Sequence, residues 1–448
     1  MKKNTSYIII LFLLGLLGFA SQYLLNIYLA HRLSLEIFGE YSLAMKTMEL
    51  IVCLTLFGTD VGSVCYLSKY LLANNEATIQ DYIAWNIKLV GLNVLILRIL
   101  VWILFLGMLG LQLSGHNTMK DYPLIVFVLW VTPFAVSCKL LNSFLLSYNI
   151  VFSALFLNNV LIYLIEFLFF IGIFELLHHH PAFVLLAIIL AGAYSIVSII
   201  SSAKLTKEAR HFIYMGFKQL RTTSLRSHDW FPKSGKIILN SIIFLFICSL
   251  DLFIIRFFSP NYHDVSYYAA VLSITSILGL VPKNLYQKIK PTMAFELTTP
   301  SGRMELQKKL NDTNKIVFII MTLLAAGIIV FSIPLLMLFG AHYTHAHTAL
   351  IILTIGTWYT GLNQISGVIL LYADFEELAL NLALFELFLI FLFTVPATYF
   401  YGINGTATAT ALVYMINGVI CSITVKRKLG IQNMIIPGYI KTTVPPLQ

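Results

Sequence analysis

The sequence predicts an all-α polytopic membrane protein with about twelve transmembrane helices. Hydrophobic residues make up 59% of the chain and charged residues only 11%, whereas soluble domains carry about 25% charged residues. Apolar runs of about 20 residues recur along the whole chain, and each is long enough for a helix to cross hydrocarbon. The polar segments between them are short, so no soluble catalytic domain fits.

Twelve apolar runs are the predicted spans. They cover residues 7–30, 41–67, 83–110, 122–142, 152–176, 182–203, 237–257, 266–282, 316–339, 349–371, 379–401 and 406–425. Most of the 29 Lys and Arg residues fall between spans on one side of this alternation. The positive-inside rule places that side, and both termini, in the cytoplasm. Membrane orientation therefore explains the net charge of +9, and we expect no nucleic-acid partner.

A basic segment divides the spans into six and six. It is the predicted cytoplasmic linker, 204–236, between an N-terminal six-helix lobe at 1–203 and a C-terminal six-helix lobe at 237–425. A cytoplasmic tail follows at 426–448. Within the linker, Ile213–Phe217 suits an amphipathic segment on the inner leaflet, with a plain basic tether as the alternative.

The positions of cysteine and histidine predict no metal site, and we expect no cofactor. All five cysteines fall inside apolar runs, without the close spacing of a metal knuckle. Two histidine clusters, His178–His180 and His342–His347, have no Cys, Asp or Glu beside them. They are predicted to be exposed loop residues.

Charged residues inside the second span are the first candidates for function, because ionisable groups in hydrocarbon usually face a bundle interior or a wet cavity. Lys46, Glu49, Cys53 and Asp60 are offset by three, seven and fourteen positions, which places them within about 60° on one continuous helix. We predict that this stripe lines a substrate cavity, with Lys46 and Glu49 paired at i,i+3 when the cavity is empty. A static internal ion pair is the alternative.

Further polar residues lie within other spans and are predicted to face inward. They are Gln22, Asn26, Arg98, Glu166, Asn240, Asp251, Arg256 at the outer border, and Glu386. Arg98 and Glu166 either neutralise each other or leave Arg98 to contact an anion such as phosphate. Glu166, Asp251 and Glu386 are candidates for binding a coupling ion, because desolvation penalises an ionised carboxylate.

Several short motifs occur in the order typical of one family. They are Ile37–Ser42, Leu56–Gly62, Tyr267–Ala270, Pro291, Phe339–Tyr343 and Tyr401–Ala407. Over about residues 37–425 the chain thereby resembles the polysaccharide-repeat (O-antigen) flippases of the multidrug/oligosaccharidyl-lipid/polysaccharide exporter superfamily. The resemblance implies two six-helix lobes around a central cavity, lined by the first, second, seventh and eighth spans.

The resemblance also implies a function. Such a flippase carries undecaprenyl-diphosphate-linked oligosaccharide from the cytoplasmic to the periplasmic leaflet of the bacterial inner membrane, for surface polysaccharide and lipopolysaccharide biosynthesis. Lys46, Arg98 and Arg256 would then meet the diphosphate. The expected partners are this lipid-linked substrate, membrane lipids, a coupling proton or sodium ion, and polysaccharide polymerase machinery.

Two other functions remain open. One is a cation-coupled drug or metabolite antiporter of the same superfamily, whose cation-binding carboxylates would be Glu166 or Asp251. The other is a membrane glycan polymerase or ligase, which needs a substantial outer loop to hold its catalytic groups. Because the predicted outer loops are all short, we expect a transporter and no enzyme.

Overall fold

The computed structural model is built from helices throughout the residues that it describes. These residues are 2–113, 123–176, 183–220, 223–225, 230–259, 262–286, 289, 293, 296–297, 299–373 and 375–433. In chain order the helices are α1 (Lys2–Arg32), α2 (Leu35–Leu56), α3 (Thr59–Gly62), a π-helical turn (Ser63–Leu67), α4 (Ser68–Leu72), α5 (Glu76–Leu113), α6 (Pro123–Ser147), α7 (Val151–Phe156), a π-helical turn (Leu157–Leu161), α8 (Ile162–Ile171), a π-helical turn (Gly172–Leu176), α9 (Phe183–Lys204), α10 (Lys207–Gln219), α11 (Trp230–Phe258), α12 (His263–Leu285), α13 (Pro300–Val330), α14 (Ser332–Met337), a 3-10 turn (Ala341–Ala346), α15 (His347–Asn363), α16 (Ile365–Tyr372) and α17 (Glu376–Leu429). The predicted all-α class is confirmed.

Each of the twelve predicted spans falls largely on helix, although residues 122 and 182 lie outside the described part of the chain, as do residues 434–448 of the predicted tail. Within that part, nine helices are long and apolar enough to cross a membrane, or ten if the bent second span is counted as one. The number is below twelve because α15 has only 17 residues and α17 continues through two predicted spans. Gly402, which has φ 56° and ψ −141°, interrupts α17 between those two spans.

The chain forms two compact units. The first unit comprises Leu13–Leu25 and Glu40–Phe246, and the second comprises Met1–Phe12, Asn26–Gly39 and Ile247–Gln448. Helices α1 and α11 each contribute residues to both units. The boundaries of the lobes, linker and tail given by the sequence pattern stay predictions.

An aromatic cluster forms part of the core of the first unit. Tyr82 and Trp85 of α5 are fully buried, and Trp230 packs edge-on against Tyr82 with ring centroids 5.0 Å apart. The indole N–H of Trp230 donates to the Tyr70 hydroxyl at 2.9 Å, and that of Trp85 donates to the Leu225 carbonyl oxygen at 3.2 Å. These contacts hold the segment between α10 and α11 against α5.

The second span is bent because α2 ends at Leu56 and α3 begins only at Thr59. The helical segments before and after this break meet at 56°. Phe57 and Gly58 both have positive φ, 52° and 72°. Gly58 also lies against α11, where a Cβ would come 2.7 Å from the carbonyl oxygen of Ser234. Glycine tolerates both the left-handed backbone and the close approach, so the bend is encoded here.

A buried carboxylate joins α2 to the start of α6. Oε1 of Glu40 accepts a hydrogen bond from the backbone N–H of Leu124 at 2.6 Å. Leu124 follows Pro123, the first residue of α6, which has no N–H of its own. A carboxylate at this position satisfies an unpaired amide and interacts favourably with the helix dipole. Glu40 therefore fixes where α6 begins.

A chain of polar side chains crosses the second unit. The Tyr286 hydroxyl donates to Asn314 Oδ1 at 2.7 Å, and Asn314 Nδ2 donates to Asn433 Oδ1 at 3.0 Å. Asn433 Nδ2 in turn donates to Ser366 Oγ at 2.9 Å. The segment that follows α17 is thereby attached to α13, to α16 and to the end of α12.

Candidate functional site

Lys46 and Glu49 form an ion pair on α2, which confirms the predicted i,i+3 contact. Lys46 Nζ donates to Glu49 Oε2 at 3.1 Å, and the two side chains are 34% and 38% exposed. Lys139 of α6 interacts electrostatically with Glu49. We call these three residues the lysine cluster. It places two cations beside one partly exposed carboxylate in the first unit.

Asp60 does not lie on the same helix as Lys46, Glu49 and Cys53, so the assumption of one continuous helix is wrong, while the shared polar face stays a prediction. The angular offset assumes an uninterrupted helix, but the chain bends by 56° at Phe57 and Gly58. Asp60 therefore lies on α3 and points from a separate segment. It still interacts electrostatically with Cys53, near the end of α2.

Glu166 is a deeply buried carboxylate on α8. Its side chain is 1% exposed, and neither carboxylate oxygen forms a hydrogen bond with any residue in the described ranges. Tyr41, Tyr163 and Tyr194 lie close enough for its charge to act on their hydroxyl groups. An ionised, unpartnered carboxylate is expensive at this depth, so the position suits a bound proton or metal cation.

Arg98 and Glu166 do not neutralise each other, so that interpretation is wrong. The Arg98 guanidinium instead lies over the ring of Trp130, 5.0 Å from its centroid, as a cation–π contact. Its Nη1 forms no hydrogen bond within the described part of the chain. Which helix faces Arg98 depends on how the bundle packs, and no sequence spacing encodes that. A role for Arg98 in anion binding stays a prediction.

Asp251 is a buried carboxylate in the second unit, and it has two hydroxyl donors. The Tyr268 hydroxyl donates to Oδ2 at 2.7 Å and the Thr410 hydroxyl donates to Oδ1 at 2.9 Å. Three helices, α11, α12 and α17, therefore meet at this carboxylate. Hydrogen bonds to an ionised acceptor offset part of its desolvation cost.

Glu386 belongs to the same polar region as Asp251. The side-chain amide of Asn417 donates to Glu386 Oε2 at 2.6 Å. The hydroxyl of Tyr414 interacts electrostatically with both carboxylates. Two of the three predicted ion-binding candidates thus lie in the second unit and act on the same tyrosine, while Glu166 lies in the first.

Arg256 is held by the loop that follows α11. Its Nη1 donates to the carbonyl oxygen of Ser259 at 2.9 Å, and its guanidinium lies 4.2 Å from the centroid of the Tyr262 ring. In this structure the side chain therefore stabilises the loop. Contact with a diphosphate would require these interactions to break.

Three predicted amide residues differ in their surroundings. Asn26 Nδ2 donates to Ser273 Oγ on α12 at 3.1 Å and so faces the protein. Gln22, one turn earlier on α1, is exposed, and Asn240 on α11 is half-buried. Their roles in binding substrate stay predictions.

The second histidine cluster lies in the 3-10 turn and at the start of α15. His342 and His345 are exposed in the 3-10 turn, and His347 is half-buried. His178–His180 lie outside the described residues. Among the residues that can be placed, no three His, Cys, Asp or Glu side chains are arranged to hold a metal ion.

The sequence pattern does not reveal several residues of these polar sites. Lys139 lies near the inner end of the predicted fourth span, where positive charges are expected anyway. Thr410 is the third of three alternating threonines, after Thr406 and Thr408, and the sequence does not distinguish it from the other two. Tyr268 stands in the motif Tyr267–Ala270, and this motif is the one sequence feature that points to the surroundings of Asp251.

The chain is similar in structure to solved transporters. No protein-family profile and no curated protein sequence matches it. A multidrug resistance MATE family transporter of the MOP superfamily, in an inward-facing conformation, is 16% identical with a TM-score of 0.72, covering 93% of this chain and 94% of that chain. A MOP superfamily transporter from Pyrococcus furiosus is 14% identical, with a TM-score of 0.62 and coverage of 94% and 95%. The Vibrio cholerae MATE transporter VcmN in the bent form is 15% identical, with a TM-score of 0.58 and coverage of 96% and 98%. The chain therefore has the fold of the MATE family transporters of the MOP superfamily.

Proposed function

We propose that the chain is a secondary transporter that flips undecaprenyl-diphosphate-linked oligosaccharide from the cytoplasmic to the periplasmic leaflet of a bacterial inner membrane. It would work by alternating access and supply the surface polysaccharide polymerase machinery. A diphosphate and its sugars cannot cross hydrocarbon unaided, because desolvating charged and polar groups costs too much free energy. A polar route through protein is therefore required, while the lipid tail stays in the bilayer.

The observation that carries this proposal is the lysine cluster. Lys46 and Glu49 are each about one-third exposed, and Lys139 of α6 acts electrostatically on Glu49. Two ammonium groups in this region can contact phosphate oxygens once Lys46 is released from Glu49. In this structure Glu49 holds Lys46 at 3.1 Å, and a diphosphate would replace Glu49 as its partner.

The energy source in this proposal is a gradient of protons or sodium ions. Glu166 is the proposed binding position in the first unit, because the described residues supply its oxygens with no hydrogen bond. Asp251 and Glu386 are the candidates in the second unit. Binding of a cation at a buried carboxylate removes the cost of an isolated charge and so changes the energy of the unit that holds it.

A cation-coupled drug antiporter is the second candidate. It is favoured by the solved transporter of similar fold that is described as a multidrug resistance protein. The charge of the binding region separates the two functions. The description of the Pyrococcus furiosus transporter links a reversed polarity of its binding pocket to a different function. The two ammonium groups of the lysine cluster favour an anionic substrate over a cationic drug.

Deletion of the gene tests the substrate class. We expect one surface glycan to disappear and its lipid-linked repeat to accumulate in the cytoplasmic leaflet, measured by glycan analysis and mass spectrometry of extracted lipids. If every glycan were unchanged while resistance to drugs fell, the flippase function would be wrong and the antiporter would replace it.

Complementation of the deletion tests the lysine cluster. We expect Lys46→Gln and Lys139→Gln to lower glycan export while membrane abundance of the protein is unchanged. Lys69→Gln is the matched control, because Lys69 is exposed on α4 and belongs to no cluster described above. An equal loss of protein and export in the two variants would identify a static structural pair and contradict the proposed binding role.

A further inference from the structure

Helix α10 packs against the side of α5 through a narrow face of small residues. The Thr206 hydroxyl caps α10 by accepting from the Ala209 N–H at 3.1 Å. Ala209 and Gly216 are buried. A Cβ at Gly216 would lie only 3.1 Å from the side chain of Ile83 and 3.3 Å from the backbone nitrogen of Ala84. One face of α10 is therefore fixed on α5 at close distance.

The opposite face of α10 combines exposed aromatic rings with basic side chains. Tyr214 and Phe217 are each 57% exposed, and Lys218 Nζ lies 4.6 Å from the centroid of the Tyr214 ring. Lys207 and Arg210 are also exposed. At 100° per residue, these five side chains fall within about 100° of one another. Aromatic rings beside Lys and Arg are the composition of helices that lie in a membrane interface.

The position of α10 on α5 places this face at the level of the bilayer border. Residues 83 and 84 stand where the predicted third span begins. Beyond them α5 exposes Leu95, Ile99 and Ile103 by more than half, as expected of a helix that faces lipid. Leu95 is about 18 Å farther along the helix. A helix that packs on the end of a lipid-facing span lies beside the headgroups.

We propose that α10 is a docking surface for the anionic phospholipid headgroups of the inner leaflet. Lys207, Arg210 and Lys218 contact phosphate groups, while Tyr214 and Phe217 insert at headgroup depth. Glu208, the one acidic residue of α10, lies about 80° or more from these basic residues. The proposal relies on the topology predicted from positive charge and is independent of which cargo the protein carries.

Hydrogen exchange of the full-length protein in lipid nanodiscs tests the docking. Discs of phosphatidylcholine alone are compared with discs that also contain phosphatidylglycerol. Because each basic residue near an anionic surface favours binding about fivefold, we expect α10 amides to exchange at least about tenfold more slowly in the anionic discs. Equal exchange of α10 in the two lipids would overturn the proposal, and would indicate a soluble partner or a plain tether instead.

Two variants separate the charges from the rings. Simultaneous Lys207→Gln, Arg210→Gln and Lys218→Gln is expected to abolish the difference between the two lipids. Simultaneous Tyr214→Ser and Phe217→Ser is expected to speed exchange of α10 in both lipids, with the lipid-dependent difference reduced but present.

A matched control removes the same number of charges elsewhere on the predicted cytoplasmic side. Lys426, Arg427 and Lys428 are exposed at the end of α17. Their triple replacement by Gln is expected to leave the lipid dependence of α10 intact. Loss of that dependence in the control would show a general effect of net charge and would overturn the assignment to α10.

Discussion

Replacement of Gly58 by alanine tests whether the bend of the second span is encoded at this residue. Gly58 has φ 72°, and a Cβ would lie 2.7 Å from the Ser234 carbonyl oxygen and 3.0 Å from the Ile238 nitrogen. A left-handed backbone costs an alanine about 1–2 kcal/mol. Both contacted atoms belong to backbone, so relief of the overlap requires helices to shift, at about 1–3 kcal/mol. We expect Gly58→Ala to lower the free energy of unfolding by about 2–5 kcal/mol.

Unfolding in mixed detergent micelles, titrated with sodium dodecyl sulfate and followed by circular dichroism, measures this change. Gly91→Ala is the matched control, because a Cβ at Gly91 on α5 meets nothing within 4 Å. Alanine is the better helix former, so we expect this control to gain up to about 1 kcal/mol. If Gly58→Ala unfolded at the same detergent fraction as the natural protein, the bend would depend on other contacts and the reasoning would be refuted.

Three further predictions use the same unfolding measurement. Tyr268→Phe removes a hydroxyl donor from buried Asp251 and should destabilise the second unit by about 1.5–3 kcal/mol. An unchanged stability would contradict a charged acceptor at Asp251. Glu40→Ala should lower the free energy of unfolding by about 0.5–2 kcal/mol, because α6 loses its cap. Glu40→Gln keeps an acceptor oxygen and should cost less. Equal losses of stability in the two variants would exclude capping. Asn433→Ala should cost about 1–3 kcal/mol because Asn314 loses its buried acceptor, and an unchanged stability would mean that water replaces it.

The helical segments could be predicted because lipid imposes a simple constraint. Hydrocarbon offers no partner to backbone groups, so each apolar run long enough to cross must be helical. The predicted division between 379–401 and 406–425 coincides with Gly402, where the backbone leaves helical geometry. At this position, a glycine between two apolar runs therefore indicates where the helix is interrupted.

The bend at Phe57 was not predictable in the same way. A period of 3.6 residues assumes an unbroken helix, and Phe57 adopts a positive φ that non-glycine residues rarely take. The neighbouring Gly58 lies close to the backbone of Ser234 and Ile238, which are distant in sequence. The face of Asp60 therefore depends on tertiary packing.

The same distinction applies to the charged residues. The Lys46–Glu49 pair is local, so helix geometry alone predicts it. Whether Arg98 meets Glu166 depends on how α5 and α8 pack, and the sequence contains no distance between helices. The Arg98 guanidinium contacts the Trp130 ring instead of the Glu166 carboxylate that was one predicted partner.

The buried carboxylates of the two units differ in the hydrogen bonds that they accept, and this difference affects the proposed ion coupling. Asp251 accepts hydrogen bonds from two hydroxyl groups and Glu386 accepts one from an amide. Glu166 accepts none within the described residues. Donors offset part of the desolvation cost of a buried charge, whereas an isolated carboxylate bears the whole cost until a proton or another cation binds. A shift between two conformations from 1:99 to 99:1 needs about 5.5 kcal/mol. Ion binding at Glu166, which has no such donor among the described residues, therefore supplies a larger part of this requirement than ion binding at Asp251 or Glu386.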